Sequence, residues 1–227
     1  MDDLLYNSRL KAVISSPPAG FKVINAGNCN SPGLHPFDYT DVECLYAAEE
    51  LSKCTNAKRV IDAGSYRHFA WGLRAKYDVV FLDIRPFKYS LPGWKVIALD
   101  IRNISSLPFD FDVLISLCTM EHVGLGHYGD EYDIDGDKKA FIAISEVLKP
   151  GNSFIFTVPV TKVNSIILFN VQRVYNYELL CSYMPKTMQV VDEKFFKYGT
   201  FERISPDKLT DVLGNWDLYC GHWRKMT

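Results

Sequence analysis

The sequence predicts a single α/β domain built on a mostly parallel sheet. Short, continuous apolar runs rich in Val, Ile and Phe recur along the middle of the chain. Such runs are typical of strands that are buried on both faces of a parallel sheet. Stretches of helical composition separate several of these runs, which is the alternation found in α/β proteins. The length of 227 residues suits one domain better than two.

Composition and charge exclude several classes of protein. Hydrophobic residues make up 48% of the chain and charged residues 23%, which argues against disorder, collagen-like repeats and coiled coils. The 25 basic and 27 acidic residues give a net charge of -2, so we expect no nucleic-acid partner. We also expect no membrane span and no secretory signal. Six scattered cysteines without a C-x-x-C pair predict reduced thiols and a cytoplasmic protein.

The first 38 residues predict an irregular N-terminal arm, and residues 39–227 the single domain. The arm is rich in Pro, Gly, Asn and Ser and shows no periodicity. A helix ending near Lys53 is expected next, because Thr40 and Glu43 have the spacing of a capping box. Apolar residues then recur at helical spacing, at Cys44, Ala47, Ala48 and Leu51.

The remaining elements follow from apolar runs and helix stop signals. Five runs predict strands at 59–64, 78–83, 95–100, 111–116 and 153–158. Two further strands are expected at 189–198 and 218–225, which makes seven. Helices are expected at 67–76, at 137–148 before the Lys-Pro-Gly stop, and briefly near Ser205.

Polar residues at the ends of the predicted strands indicate the ligand site, because ligands of open α/β sheets bind beyond the carboxyl ends of strands. Asp62, Asp83 and Asp100 end three of the first four runs, and the fourth runs into Ser116. Asp83 lies about 20 residues beyond the first turn, the spacing at which a carboxylate accepts hydrogen bonds from a ribose diol. Gly64 would let the backbone approach such a ligand closely.

Five segments in chain order carry a family resemblance. They are Val60-Ile-Asp-Ala-Gly-Ser65, Phe81-Leu-Asp83, Leu99-Asp-Ile101, the strand 111–116 with Glu121-His122 after it, and Leu148-Lys-Pro-Gly151 before the fifth strand. Together they resemble class I S-adenosylmethionine-dependent methyltransferases over about residues 57–160. The resemblance implies a Rossmann-like, seven-stranded, mostly parallel sheet with one antiparallel strand and helices on both faces. Residues 121–130 also resemble a bacterial branch of that superfamily whose substrate is unknown.

The resemblance also implies a cofactor site for S-adenosyl-L-methionine. Its residues would be Asp62, Gly64, Ser65, Arg67, Asp83, Ile84, Asp100, Ile101 and Ser116. Asp83 would bind the ribose, and Asp100 would lie near the adenine amino group with Ile101 against the ring. The alternatives are a surface strand end for Asp83 and a turn cap for Asp100.

The first loop of this chain departs from the family pattern. The superfamily has D/E-x-G-x-G-x-G, whereas this chain reads Asp62-Ala-Gly-Ser-Tyr-Arg-His68, with only the first glycine in place. Tyr66 and Arg67 are therefore expected either to contact the carboxylate end of the cofactor or to occlude it.

Catalytic candidates follow the fourth strand, and substrate candidates follow the fifth. The catalytic candidates are Glu121, His122, Tyr128 and Asp130. His122 is the side chain most easily poised as a base at neutral pH, with anchoring of the strand end as its structural alternative. Glycines punctuate this segment, which suits a lid or an ordinary flexible loop. The substrate candidates are Asn170, Arg173 and Tyr175, and Arg173 would bind a phosphate or carboxylate unless it forms a surface salt bridge.

The resemblance implies an S-adenosylmethionine-dependent methyltransferase for a small-molecule or saccharide-type acceptor. The missing loop glycines leave a second hypothesis, a degenerate methyltransferase fold that serves as a binding or scaffold protein. A nicotinamide-dependent oxidoreductase is disfavoured, because no G-x-G-x-x-G follows the first strand. The acidic residues in 130–137 do not match an EF-hand, and no metal is expected.

Overall fold

The chain divides into two compact units, Met1–Phe37 and Asp38–Thr227. A computed structural model describes residues 3–17, 19, 23, 25, 37–88, 92–169 and 171–227. In the first unit, helix α1 spans Asp3–Ser15. The prediction of irregular structure is wrong for this helix, because the Pro and Gly residues of the arm all follow it. The assignment of 39–227 to one methyltransferase-like domain stays a prediction at this point.

The second unit is built on a sheet that has ten strands among the described residues. The strands are β1 Arg59–Ala63, β2 Asp78–Asp83, β3 Lys95–Ala98, β4 Val113–Leu117, β5 Ser153–Thr161, β6 Ile166–Leu168, β7 Gln172–Asn176, β8 Met188–Phe196, β9 Arg203–Ile204 and β10 Asp217–Lys225. They lie in the order β3-β2-β1-β4-β5-β10-β8-β9, and β7 pairs with both β5 and β6. The first five strands pair in parallel.

The predicted number of seven strands is corrected to ten. Seven strands at the predicted places form the continuous body of the sheet, and β10 is antiparallel to both of its neighbours. The additional strands are short and pair over few residues: β6 with β7, β7 with the end of β5, and β9 with β8. Such short pairs depend on tertiary contacts and leave little periodic signal in a sequence.

Helices cover both faces of the sheet, as the sequence predicts. They are α2 Tyr39–Lys53, α3 Arg67–Leu73, α4 Gly136–Val147 and α5 Tyr177–Tyr183. Successive residues of a strand point to opposite faces, so Val60 packs in one apolar cluster with α2 and α3, and Ile61 in another with α4 and α5. In the part of the chain that the structure describes, no helix combines the length and apolarity needed to cross a bilayer.

Helix α2 begins with a capping box that is shifted from the predicted one. The side chain of Asp38 accepts a hydrogen bond from the Thr40 amide, and the carboxylate of Asp41 accepts one from the Asp38 amide. Both spacings fit the sequence pattern, but Glu43 is fully buried and accepts a hydrogen bond from the Thr157 hydroxyl of β5. Packing against the sheet therefore decides which pair caps the helix.

A buried polar chain ties α2 to the start of β5. Nδ1 of His222 lies 3.0 Å from a carboxylate oxygen of Glu50, and Nε2 lies 2.9 Å from the Ser153 hydroxyl. All three residues are buried, and burial lowers the pKa of His222 against the opposing pull of Glu50. Because each of these polar side chains has a hydrogen-bond partner, the Glu50–His222–Ser153 network can be accommodated inside the core.

The described cysteines are all free thiols. Cys220 is buried, and the others are partly exposed: Cys44, Cys54, Cys118 and Cys181. Cys29 lies outside the described residues.

Candidate functional site

A cleft opens beyond the carboxyl ends of the parallel strands. The strand order reverses between β1 and β4, because β2 and β3 lie on one side of β1 while β4 and β5 lie on the other. Residues that follow β1 and β4 line the cleft. The cleft has a volume of about 110 Å³ and opens to solvent. The cleft therefore occupies the position at which open α/β sheets bind ligands.

The cleft brings together residues from both predicted sets. The predicted cofactor residues that line it are Gly64, Asp83, Ile84, Asp100 and Ile101. The predicted catalytic residues that line it are His122, Tyr128 and Asp130. Leu82, Leu99 and Val123 add apolar walls. The strand ends thus place carboxylates beside apolar side chains.

The other predicted cofactor residues do not line this cleft. Asp62 is buried, and burial raises the pKa of its carboxyl to about 7 although Ser65 opposes the shift. The Ser65 hydroxyl accepts a hydrogen bond from the Leu117 amide, and the buried Ser116 hydroxyl donates to the carbonyl of β1, at Ala63. Arg67 is exposed in a neighbouring groove that Asp83 also lines.

Gly64 is required by the turn itself. Its φ of +72° lies in the left-handed region, and its amide donates to the Leu82 carbonyl at 2.9 Å. A Cβ at this position would lie 2.6 Å from Cγ2 of Thr119. The sequence predicted that Gly64 lets the backbone approach a ligand closely. In the structure, the residue that Gly64 approaches closely is Thr119 of the same chain.

We expect Gly64→Ala to destabilise the fold by about 2–4 kcal/mol, because the substitution adds left-handed strain to an overpacked contact. Thr119→Ser removes the nearest methyl group, so the double variant should recover the packing part of the loss and retain the backbone part. Urea unfolding of the two single variants and the double variant measures both parts. A double variant no more stable than Gly64→Ala would contradict the contact with Thr119.

Asp83 ends β2 with its carboxylate bound by Arg85. Nε and Nη2 of Arg85 donate to the two carboxylate oxygens at 3.0 and 2.9 Å, and the Arg85 amide donates to one of them at 2.9 Å. The same guanidinium lies over the Tyr128 ring, 4.5 Å from its centroid. A ribose diol at Asp83 would therefore share or displace contacts that Arg85 makes.

Asp100 repeats this arrangement after β3. It caps the 3-10 turn Ile101–Ser106, and Nε and Nη2 of Arg102 contact its carboxylate at distances down to 2.6 Å. Burial would raise the pKa of Asp100, but Arg102 outweighs it and holds that pKa below its ordinary value. The turn-cap alternative thus describes this structure. Sequence analysis missed both arginines, although the repeated Asp-Ile-Arg at 83–85 and 100–102 was a signal.

The glycine-punctuated segment after β4 is tied down by its own polar groups. The Asp130 carboxylate accepts hydrogen bonds from the amides of Gly124 and Tyr128, at 2.6 and 3.3 Å. Gly124 has a φ of +81°, and a Cβ there would collide with the Asp133 carbonyl. The Asp130 side chain therefore stabilises the turn, and the segment is a loop held by its own hydrogen bonds at the wall of the cleft.

Arg173 and Tyr175 lie behind this loop and do not line the cleft. The buried guanidinium of Arg173 contacts Glu121 O at 3.2 Å, Val123 O at 2.7 Å, Ile134 O at 3.0 Å and Asp137 Oδ1 at 3.4 Å. The Tyr175 hydroxyl donates to Asp137 at 2.8 Å. We therefore assign both residues to support of the loop rather than to a substrate. Asn170 lies outside the described residues.

His122 stands at the cleft wall in a short turn after β4, Met120–His122. The Tyr128 ring packs edge-on against it at 5.6 Å, and the His127 ring lies at 5.9 Å. Burial lowers the pKa of His122, and the neighbouring His127 adds to this shift. The lowered pKa favours the neutral imidazole, which is the form that can accept a proton.

A second pocket adjoins the cleft and shares four of its lining residues, Gly64, Cys118, His122 and Tyr128. Further walls come from Tyr39, Tyr66, Gln172 and Trp216, and Glu121 lies at the same wall as His122. Burial raises the pKa of Glu121 to about 8. Of these residues, Glu121 was predicted from the sequence as catalytic, and Tyr66 was expected either to contact the carboxylate end of the cofactor or to occlude it. Tyr39, Gln172 and Trp216 carry no motif, so only folding reveals them.

In the described ranges, no group of three or more His, Cys, Asp or Glu side chains is placed to hold a metal ion.

Comparison with solved structures shows which fold this is. An S-adenosylmethionine-dependent methyltransferase from Clostridium acetobutylicum matches 98% of this chain and 100% of its own, with TM-score 0.55 and 12% identity. The 1,6-didemethyltoxoflavin-N1-methyltransferase of Burkholderia thailandensis, solved with S-adenosylhomocysteine, matches 83% of this chain and 81% of its own, with TM-score 0.53 and 17% identity. The [4+2]-cyclase SpnF matches 83% and 81%, with TM-score 0.55 and 12% identity. The chain has the class I methyltransferase fold.

Sequence comparison adds less. Residues 84–188 match a family described as "Caenorhabditis protein of unknown function, DUF268". No curated protein matches the chain. The resemblance to a bacterial branch stays a prediction.

Proposed function

We propose that this protein is an S-adenosylmethionine-dependent methyltransferase for a small-molecule acceptor, with saccharides among the possible classes. The observation that carries the proposal is the position of Asp83. Asp83 is the last residue of β2, and it lines the cleft beside Gly64, at the point where the strand order of the sheet reverses. One carboxylate at that place can accept hydrogen bonds from both hydroxyls of a ribose.

The chemistry of the cleft fits the cofactor. Leu99 and Ile101 supply apolar walls for a flat ring, and Asp100 beside them is an acceptor for an amino group. Neither Tyr66 nor Arg67 lines the cleft, so the departure from the glycine-rich loop leaves this space open. Arg67 lies in the adjoining groove with Asp83, which supports its proposed pairing with the carboxylate end of the cofactor.

When bound, S-adenosylmethionine supplies a methyl group on a positively charged sulfur. The residues of the cleft would hold and orient it, and the pocket across His122 would hold the acceptor. Holding the two reactants in line removes much of the entropic barrier to transfer. The neutral imidazole of His122 lies between the two spaces and would take the proton that an acceptor gives up.

A second candidate is a binding or scaffold protein with this fold. It is favoured by the arginines that already neutralise Asp83 and Asp100 in this structure. The cyclase among the similar structures is also a reminder that a fold alone does not define an activity.

Calorimetry with S-adenosylmethionine, S-adenosylhomocysteine and NAD separates these functions. We expect the first two to bind and NAD to give no heat of binding, because no dinucleotide loop follows β1. Absence of binding by either adenosyl compound would overturn the methyltransferase proposal in favour of the scaffold. Binding of NAD alone would favour an oxidoreductase.

A further inference from the structure

Aromatic rings form much of the wall of the pocket that adjoins the cleft. They belong to Tyr39, Tyr66, Tyr128 and Trp216. The rings of Tyr39 and Trp216 meet edge to face at 5.9 Å, and Tyr198 packs against Trp216 at 4.1 Å. The packing holds these rings in place. The faces of such rings carry negative potential and attract cations.

The same pocket has an acidic wall at Glu121, whose carboxyl forms no ion pair with a Lys or Arg of the described residues, although the buried Arg173 guanidinium lies near enough to favour its ionised form. Glu121 is 1% exposed, and neither of its carboxyl oxygens has a hydrogen-bond partner among the described residues. Arg173 donates to the main-chain carbonyl of Glu121, and the base closest to the carboxyl is His122, with Nε2 at 3.9 Å. None of the described residues that line the pocket is Lys or Arg.

A second buried acid lies behind this wall. Glu43 is fully buried, and one of its oxygens has no partner among the described residues. Cys118 lies near both acids and is held at a positive φ of 43°. Buried acceptors without partners are costly, so a ligand that brings N–H donors satisfies groups that the chain itself leaves open.

We propose that this pocket recognises an amine, bound as the ammonium ion, and therefore that the methyl acceptor is a primary or secondary amine. The N–H groups of the ligand satisfy Glu121, and its charge faces the aromatic rings. Because a bound ammonium ion has no free lone pair, it must give one proton to the imidazole of His122 before transfer. Its nitrogen then bonds to the methyl carbon as the bond from that carbon to sulfur breaks and the sulfur keeps the bonding pair.

An alcohol brings one donor and no charge, while a carboxylate or phosphate brings a negative charge, which the ring faces repel and which disfavours ionisation of Glu121. The inference rests on the proposed function, because the pocket shares the His122 wall with the cofactor cleft.

Three probes with one phenyl body and different head groups test this recognition. Benzylamine, benzyl alcohol and benzoate are titrated into the protein by calorimetry at neutral pH, with and without S-adenosylhomocysteine. We expect benzylamine to bind roughly tenfold more tightly than benzyl alcohol, and benzoate to bind most weakly. Equal affinity for the amine and the alcohol, or preference for benzoate, would overturn the inference.

Glu121→Gln assigns the preference to its carboxyl. The variant keeps the shape of the side chain and removes its capacity to ionise, so the preference for amine over alcohol should fall to about twofold or less. Glu146→Gln, the same change at an exposed position of α4, should leave the preference intact. A folded Glu121→Gln protein that retains the full preference would contradict the role of this carboxyl.

Trp216→Leu provides an independent measurement, including the case in which Glu121→Gln does not fold. We expect the affinity for benzylamine to fall several-fold more than that for benzyl alcohol, because only the cation interacts with the ring face by charge. Equal losses for the two probes would count against the proposal.

The outcomes distinguish this inference from the proposed function. Binding of S-adenosylmethionine without a preference for benzylamine would overturn the amine acceptor and leave methyl transfer standing. A preference for benzylamine without binding of S-adenosylmethionine would overturn methyl transfer and leave the pocket as an amine-binding site.

Discussion

Asp83→Ala is expected to weaken the binding of S-adenosylmethionine by at least tenfold while the fold persists. The substitution removes two charge-assisted hydrogen bonds to the ribose, each worth about 1.5–3 kcal/mol. The Asp83 side chain is largely buried at the end of β2, but its side-chain partner Arg85 is exposed and can be solvated by water once the carboxylate is gone. Calorimetry measures the affinity, and the melting temperature checks the fold.

Arg85→Ala is the matched control, since it leaves the Asp83 carboxylate in place. The guanidinium contacts the oxygens that the ribose would use, so its removal should leave the affinity unchanged or raise it by up to about fivefold, as expected for an exposed ion pair. Unchanged affinity in Asp83→Ala would rule out the ribose assignment. A large loss in Arg85→Ala would show that the guanidinium, rather than the carboxylate, binds the cofactor.

His122→Ala should lower turnover at least tenfold with a much smaller effect on cofactor affinity. A positioned base contributes typically 10²–10⁴-fold to rate, and the neutral imidazole lies where the cleft and the adjoining pocket meet. Single-turnover rates with an acceptor found by the probe experiments measure the effect.

His127→Ala serves as the comparison for this variant. Its ring contacts that of His122 but lines neither the cleft nor the adjoining pocket, so turnover should stay close to that of the wild type. If His122 instead anchors the end of β4, its removal would lower the melting temperature and the cofactor affinity together. Full turnover in a stable His122→Ala protein would leave Glu121 as the next candidate base. The same role is less suited to Asp130, whose carboxylate holds loop amides.

The structure of the loop after β4 shows where prediction from sequence stopped. The sequence indicated a glycine-punctuated segment after the fourth strand, and His122, Tyr128 and Asp130 of that segment line the cleft. It did not indicate that Arg173 and Asp130 would bond the segment in place. Arg173 lies about fifty residues further along the chain, and no local pattern around it indicates that its guanidinium will bind the carbonyl groups of Glu121 and Val123.

The sequence by itself determined the seven strands that form the body of the sheet, the helices α2, α3 and α4, and the edge of the sheet at which the cleft lies. Buried strands and amphipathic helices can be predicted from local apolar patterns. Parallel strands that pair bring their carboxyl ends to the same edge of the sheet. Asp83 and Asp100 were predictable at the cleft for that reason. Only the tertiary structure decided which charges meet: Arg85 and Arg102 bind those carboxylates, while the Glu121 carboxyl is buried in a wall with aromatic rings and has no hydrogen-bond partner among the described residues. The partner of a polar group depends on distances across the fold, which no local pattern encodes.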